Sequence, residues 1–264
     1  MFEGSIDTVI APWPASVGLF IGMVACFEIG RRLGIRNLAR DATGAMAGHT
    51  AVENSVFALF GLLVAFTFVG APTRFDMRRL LLAEEVSKID TAYMRVDLLP
   101  SASRPPLHEL FKQYLDSRLR YFQMSPEIEA AKAEYLNTKR LQERIWEQAT
   151  PATRLPEAHP DAGRLLLPAL NAMFDITTTR LMASRLHPPP IIFYLLFILA
   201  SLCSLLVGYG MAAAKRRRWL HVLAFSLTVV ISVFVILDIE DPRSGYIRLD
   251  PYDQALVDLR AAMK

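Results

Sequence analysis

Cysteine and histidine are both scarce in this chain of 264 residues. The two cysteines, Cys26 and Cys203, are too few for a disulfide framework or a zinc site. The five histidines are scattered, and no two have the spacing of metal ligands. The sequence also lacks a glycine-rich phosphate loop, an HExxH motif and a nucleophile elbow. We therefore expect no enzyme activity, no catalytic residues, no metal site and no cofactor.

A strong excess of charge of one sign is lacking too. The 29 basic and 26 acidic residues leave a formal net charge of +3, which is too small to indicate a nucleic-acid partner. Hydrophobic residues, in contrast, make up 53% of the chain, above the roughly 45–50% of a soluble domain. Because 21% of the residues are charged, this apolar excess has to be concentrated in segments. A membrane protein with a sizeable water-facing part has this composition.

Four apolar segments are candidates to cross a bilayer, whose core needs roughly 20 apolar residues. Two near the C-terminus, 191–213 and 219–239, are uncharged until Asp238 and are separated only by a short cationic loop. Two near the N-terminus, 15–30 and 55–71, are shorter. The first of these carries the acid Glu28, which we expect to pair with the arginines that follow it. The lipid bilayer is therefore the predicted surrounding of all four spans.

The block between the second and third spans has apolar residues at helical spacing. One stripe predicts a long helix that continues the second span until Pro100. Its residues are Phe75, Arg79, Leu82, Val86, Ile89, Tyr93 and Val96. Further helices are predicted from near Pro105, from near Pro126 and over about 162–187, with a loop at 150–160. The fold class is therefore all-α, with four transmembrane helices and a long-helix bundle inserted between the second and third spans.

These patterns divide the chain into four predicted parts. They are an N-terminal transmembrane hairpin (1–71), a water-facing helical bundle (72–190), a C-terminal transmembrane hairpin (191–239) and a tail with a short amphipathic helix (240–264).

Acidic residues cluster where the last span meets the tail, at Asp238, Glu240 and Asp241. Such a cluster could bind Ca²⁺, which takes 6–8 oxygen ligands, but only three carboxylates are supplied. We therefore expect a solvated helix end whose acids pair with Arg243 or Arg248.

The arginines that follow the second span allow two interpretations. In the first, Arg74, Arg78 and Arg79 form a cationic collar at the membrane surface and pair along a solvated helix. In the second, several copies surround a pore, the arginines form stacked cationic rings, and the span provides an apolar constriction. The candidate constriction residues are Ala58, Leu62 and Phe66. Their spacing of four residues fits a pore lining and ordinary helix packing equally well.

The positions of the cations predict the orientation in the membrane. Four arginines, Arg31, Arg32, Arg36 and Arg40, follow the first span, and four more cations lie in the loop at 215–218. By the positive-inside rule, both short loops are cytoplasmic. The helical bundle would then be extracytosolic, in a multi-pass protein of the cell inner membrane.

Two runs of the sequence resemble the bacterial bestrophin-like membrane proteins. They are GLLVAFTFVGAPTRFDMRRLLLAEEVSKIDTAYMRVDLLP and ILDIEDPRSGYIRLDPY. A more distant similarity reaches the true bestrophins, in which a span that leads into an Arg-aromatic-acid sequence lines the pore of a pentameric anion channel. Arg74, Phe75 and Asp76 occupy the corresponding stretch here.

The resemblance implies a homo-oligomer, by analogy a pentamer, that conducts chloride or other small anions. It places Ala58, Leu62 and Phe66 at the apolar neck of the pore. It also implies a cytosolic bundle, which is opposite to the orientation that the charge rule predicts. A non-conducting membrane scaffold or sensor, whose helical bundle binds a ligand or partner, is the alternative function.

Overall fold

The computed structural model of the protein describes residues 11–40, 49–123, 128–214, 219–241 and 245–263. These residues form α-helices and short 3-10 turns, with no strand in the described ranges, so the all-α prediction is confirmed. The helices are α1 (Pro12–Arg40), α2 (His49–Arg95), α3 (Arg104–Gln123), α4 (Ile128–Ala152), α5 (Ala162–Ser184), α6 (Pro190–Gly210), α7 (Trp219–Glu240) and α8 (Asp250–Ala262).

Four of these helices are long and apolar enough to cross a membrane, as predicted: α1, α2, α6 with the 3-10 turn that follows it, and α7. Helix α2 continues without interruption from the second span through Arg95, as the periodicity also predicted. Helix α1 extends to Arg40, so the arginines expected in a loop lie on the helix itself. The predicted cationic loop at 215–218 lies outside the described residues.

Prolines fix several of the helix boundaries. Pro190 begins α6 after two further prolines, and α8 has a proline in its first turn, where the missing N–H costs no hydrogen bond. The predicted loop at 150–160 begins too early, because α4 continues to Ala152. Ala149 and Ala152 are buried, and this packing keeps the last turn helical.

The chain forms two compact units. The first contains the described residues of 1–73 and of 187–241, together with residues 245–247. In it, α1 and α6 run in the same direction and approach closely at glycines. A Cβ atom built on Gly30 would lie 2.0 Å from the Leu205 carbonyl oxygen, and one built on Gly208 would lie 2.0 Å from that of Phe27. Small residues allow such backbone contact between membrane helices.

The same helix pair also shares a hydrogen bond. The hydroxyl of Ser204 on α6 donates to the Met23 carbonyl oxygen on α1 at 2.6 Å. Both residues are buried, and so is the free thiol of Cys203, whereas Cys26 is partly exposed. Close backbone contact and this hydrogen bond together join α1 to α6 in the first unit.

The second unit contains the described residues of 74–186 and those from Arg248 onward. It packs the second half of α2 with α3, α4, α5 and α8 around one hydrophobic core. The largest fully buried apolar side chains of this core include Ile89, Leu107, Phe111, Tyr114, Ile145, Leu166, Leu170 and Met173. Arg260 on α8 makes two hydrogen bonds to the Asp116 carboxylate on α3, at 2.7 and 3.1 Å, which fixes α8 against the core.

The buried stripe of α2 differs from the predicted one at two positions. Leu82, Ile89 and Val96 are buried as expected. Arg79 was expected on this stripe, but it is exposed, and Arg78 is buried instead. Glu85, which follows Leu82 by one helical turn, is also fully buried. Both charged side chains find partners on other helices, and these partners make their burial possible.

Candidate functional site

The apolar half of α2 presents the three predicted constriction residues on one exposed face. Leu62 is 52% exposed and Phe66 is 69% exposed, and Ala58 lies one turn before Leu62 on the same face. Phe60 and Thr67, on the opposite face, are buried. Within a single chain, α2 therefore has an apolar face that is available to lipid or to another copy of the protein.

The three arginines that follow this face differ in their surroundings. Arg78 is buried, and its guanidinium donates to the carbonyl oxygens of Ala183 at 3.3 Å and Leu186 at 3.0 Å, near the end of α5. A cation at the C-terminal end of a helix stabilises the unsatisfied carbonyls and the helix dipole. Arg78 therefore joins α2 to α5 and does not stand on the exposed face with Arg79.

Arg79 and Arg74, unlike Arg78, are exposed or partly exposed, as the predicted cationic rings require. Arg79 is exposed, bonds to the Asp76 carboxylate at 3.1 Å and lies 4.4 Å from the ring centroid of Tyr252 on α8. Arg74 is partly exposed. Arg74 and Arg79 are thus the two cations that retain access to solvent or to a neighbouring copy.

Contrary to the prediction from the sequence, the acidic cluster at the end of α7 is not a solvated helix end. Asp238 and Glu240 are only 3% and 4% exposed. The Asp238 carboxylate accepts hydrogen bonds from the backbone N–H groups of Tyr246 and Ile247, both at 2.9 Å. A Cβ atom on Gly245 would lie 2.7 Å from Asp238 Oδ1, so glycine permits the chain to pass this close.

Glu240 has a different neighbour. Its carboxylate lies 3.8 Å from Nδ1 of His187, the residue with which the chain re-enters the first unit. The expected partner Arg243 lies outside the described residues. Asp238 and Glu240 are thus buried beside backbone N–H groups and a histidine, and they do not form a solvated helix end.

Replacing Asp238 with Asn is expected to loosen the segment at 245–247. The substitution keeps the shape but removes the charge that strengthens two backbone hydrogen bonds, which is worth about 1.5–3 kcal/mol in total. Thermal unfolding of the purified protein measures the loss, and limited proteolysis after Tyr246 reports the local opening. Asp241→Asn is the control, because its side chain is partly exposed. Equal effects of the two substitutions would contradict the assigned role of Asp238.

A buried charge cluster in the second unit was not predicted from the sequence. Arg118 Nε donates to Oε1 of Glu85 at 2.6 Å, and Arg180 donates to the other carboxylate oxygen. Burial alone would raise the pKa of Glu85, but the two guanidiniums outweigh it and lower this pKa to about 2. Asp253 on α8 lies 4.0 Å from Arg180. The cluster therefore joins α2, α3, α5 and α8.

Neutral polar groups continue from this cluster into the core. The hydroxyl groups of Tyr114 and Thr177 lie 2.8 Å apart, and Gln142 Nε2 donates to Thr177 at 3.1 Å. Ser117 and Thr138 form a similar pair at 2.7 Å. The hydroxyl and amide groups of these five side chains thus have hydrogen-bond partners, as buried polar groups require.

One predicted ion pair at the membrane is present. Arg32 Nε lies 3.1 Å from Oε1 of Glu28, one turn earlier on α1. The described residues contain no group of three or more His, Cys, Asp or Glu side chains that could hold a metal ion.

Four apolar helices long enough to span a bilayer define a multi-pass membrane protein. The model of the Bestrophin-like domain family matches residues 6–253, nearly the entire chain. The protein therefore belongs to the bestrophin-like family, as the resemblance of its sequence predicted. No curated protein and no solved structure matches the chain.

Proposed function

We propose that the protein is a homo-oligomeric anion channel of the cell inner membrane in which α2 of each copy lines a central pore. The observation that carries this proposal is the exposed apolar face of α2 at Ala58, Leu62 and Phe66. The same helix continues to Arg74 and Arg79, which are accessible cations. We assign the protein no enzymatic activity.

Each part of this helix has a physical role in the proposed pore. An apolar constriction controls conduction because water and ions leave it readily when it is narrow. Rings of arginine raise the local concentration of chloride or other small anions. The apolar constriction and the arginine rings both require several copies of α2 around one pore. The similarity to the bestrophins favours five copies. Arg78 contributes to this pore by holding α2 against α5.

The proposed architecture places a helical bundle between the second and third spans. The charge rule supports an extracytosolic bundle and the similarity to the bestrophins supports a cytosolic one. We propose the extracytosolic orientation because two separate groups of cations, Arg31–Arg40 and residues 215–218, both favour it.

Substituted cysteines are expected to reveal this orientation. Ser101→Cys, in an exposed turn of the bundle, should react with a membrane-impermeant maleimide in intact spheroplasts. Ala213→Cys, at the exposed end of the third span, should react only after the membrane is permeabilised. Both are made in a background without Cys26, which is partly exposed. The reverse labelling pattern would establish a cytosolic bundle.

Purified protein in planar bilayers is expected to carry an anion current that depends on the constriction. Phe66→Ala should increase the conductance, because the constriction becomes wider. Phe68→Ala is the matched control, since Phe68 is also exposed but lies on another face of α2. Arg74→Gln should lower the current at low salt and have little effect at high salt, where the charge is screened. Absence of any anion current would refute the channel.

The native mass of the detergent complex tests the oligomer separately. A monomer would exclude a pore made of repeated α2 helices and would favour the alternative of a non-conducting scaffold or sensor. An oligomer that carries no current would support the proposed assembly and refute only the proposed anion conduction.

A further inference from the structure

One stripe of α1 changes from apolar to cationic along the helix. Its members follow one another at spacings of three and four residues, so they are neighbours on one side of α1. They are Cys26, Ile29, Leu33, Arg36 and Arg40. Ile29 and Leu33 are about half exposed, and both arginines are exposed. An accessible surface that is apolar at one end and positively charged at the other matches a molecule with an apolar chain and an anionic head.

The arginines of this stripe keep their charge available. Arg36 and Arg40 form no hydrogen bond or ion pair with the residues that the structure describes. Arg32, on a neighbouring side of α1, differs because its guanidinium bonds to the Glu28 carboxylate at 3.1 Å. An exposed guanidinium without an internal partner can bind a phosphate through two N–H groups at once.

The apolar end of the stripe opens into a groove of about 380 Å³ between α1 and α6. Cys26 forms the α1 side of the groove, and its last lining residue on α6, Leu205, is level with Gly30 of α1. No lining residue is charged. The residues that line it from α6 are Phe197, Ile198, Ser201, Leu202 and Leu205. The groove therefore continues the stripe into the hydrocarbon core, on the side of α1 that leads to Arg36.

Aromatic residues mark the two borders of the hydrocarbon core on this unit. Trp13 is exposed near the start of α1, and Trp219, at the start of α7, is exposed with its ring 6.5 Å from that of Phe27. Arg36 follows Trp13 by 23 residues, which is about 35 Å along the helix. The core is about 30 Å thick and each headgroup layer adds about 5–7 Å. Arg36 therefore lies in the headgroup layer, and Arg40, about 6 Å further along, lies beyond it.

The cationic end decides between the possible occupants of this surface. A second copy that presented the same stripe would place arginine opposite arginine, which is unfavourable. A lipid without net charge would supply an apolar chain but would not neutralise Arg36. An anionic phospholipid supplies both parts, and its phosphate lies at the depth of Arg36 when its chains lie in the core.

We propose that this surface binds an anionic phospholipid of the membrane, with one acyl chain in the groove between α1 and α6 and the phosphate at the Arg36 guanidinium. Ile29 and Leu33 then contact the lipid between the groove and the phosphate. The proposal does not depend on whether the protein conducts ions or on its orientation.

The test uses the full chain in phosphatidylcholine vesicles that contain a trace of photoreactive lipid. Two probes carry the same diazirine acyl chain, and they are phosphatidylglycerol, which is anionic, and phosphatidylethanolamine, which has no net charge. Irradiation is expected to attach phosphatidylglycerol to peptides of α1 and α6 about fivefold more than phosphatidylethanolamine, the effect of one arginine near the membrane surface. Equal attachment of the two probes would overturn the proposal.

Two substitutions test the groove. Cys26→Phe and Ser201→Phe fill it from opposite helices, and each should remove the excess attachment of phosphatidylglycerol. Leu195→Phe adds the same ring to α6 at an exposed position outside the groove and should leave the excess unchanged. An excess that persists in both groove-filling variants would overturn the groove as the site of the acyl chain.

The arginines provide the second comparison. Arg36→Gln should lower the ratio of phosphatidylglycerol to phosphatidylethanolamine attachment about fivefold, to near one. Arg36→Lys should retain part of the excess, because the charge remains but the two-point contact with the phosphate is lost. Arg40→Gln removes the same charge from the same helix beyond the headgroup layer and should leave the ratio unchanged. Equal losses for Arg36→Gln and Arg40→Gln would indicate diffuse attraction to the membrane and overturn the site. Gel filtration and thermal unfolding confirm that each variant is folded.

Discussion

Replacing Glu85 with Gln is expected to lower the free energy of unfolding by about 3–5 kcal/mol. Glu85 is fully buried, and its carboxylate is shared by the guanidiniums of Arg118 and Arg180, which are only 1% and 7% exposed. The amide keeps the size but carries no charge. Two buried cations would then face each other without the anion between them.

Thermal and chemical unfolding of the purified protein in detergent measure this loss. Glu84→Gln is the matched control, because Glu84 is the preceding residue, is exposed and pairs with Lys88 at 2.6 Å. An exposed pair of this kind is worth about 0.5 kcal/mol. Similar stabilities of the two variants would mean that the buried cluster does not hold the second unit together.

The pH dependence of stability gives a second readout of Glu85. Its pKa is about 2 in the folded protein, below the ordinary value of 4.5. A lowered pKa means that Glu85 contributes its stability fully above pH 4.5, and that this contribution is lost as the pH falls from 4.5 towards 2. Glu85→Gln should therefore be less stable at neutral pH and lose less stability than the unchanged protein over this acid range.

Replacing Gly208 with Ala is expected to separate α6 from α1 and to cost about 3 kcal/mol. The added Cβ would lie 2.0 Å from the Phe27 carbonyl oxygen, and backbone atoms cannot move aside as a flexible side chain can. Overpacked contacts typically cost about 1–3 kcal/mol, and a clash with backbone lies at the upper end of this range. Gly30→Ala should behave alike, because its Cβ meets the Leu205 carbonyl at the same distance.

Gly22→Ala provides a control for this effect, and Gly22 lies on the same helix, α1, as Gly30. A Cβ at Gly22 has no other atom within 4 Å, so alanine should be neutral or should stabilise α1 by about 0.5–1 kcal/mol. Thermal stability in detergent distinguishes the three variants. If Gly22→Ala and Gly208→Ala had equal effects, helix propensity and not close packing would explain the result.

The elements that could be predicted are those that depend on local patterns. Hydropathy identified the four spans, and the spacing of Leu82, Ile89 and Val96 predicted that α2 continues beyond the membrane. Arg118 follows Phe111 and Tyr114 at the spacing of one face of α3, and it is buried with them. These features require no knowledge of which helices pack together.

The features that escaped prediction depend on partners far away in the chain. Glu85 is separated from Arg118 and Arg180 by 33 and 95 residues, so nothing local indicates that it is neutralised in the core. One signal was available in the sequence. Glu85 lies between Leu82 and Ile89 at helical spacing, so it falls on the buried side of α2. Asp238 is held by backbone N–H groups, which every residue except proline carries and which therefore leave no pattern in the sequence.

The glycine contact between α1 and α6 has a consequence for how the protein is made. Helix α1 ends at Arg40 and α6 begins at Pro190, so α1 enters the membrane long before its closest neighbour has been synthesised. At about 5–20 residues per second, this interval lasts roughly 8 to 30 seconds. During that time the glycine surface of α1 is covered by lipid or by the insertion machinery, and chains truncated before α6 leave the ribosome with that surface unpartnered.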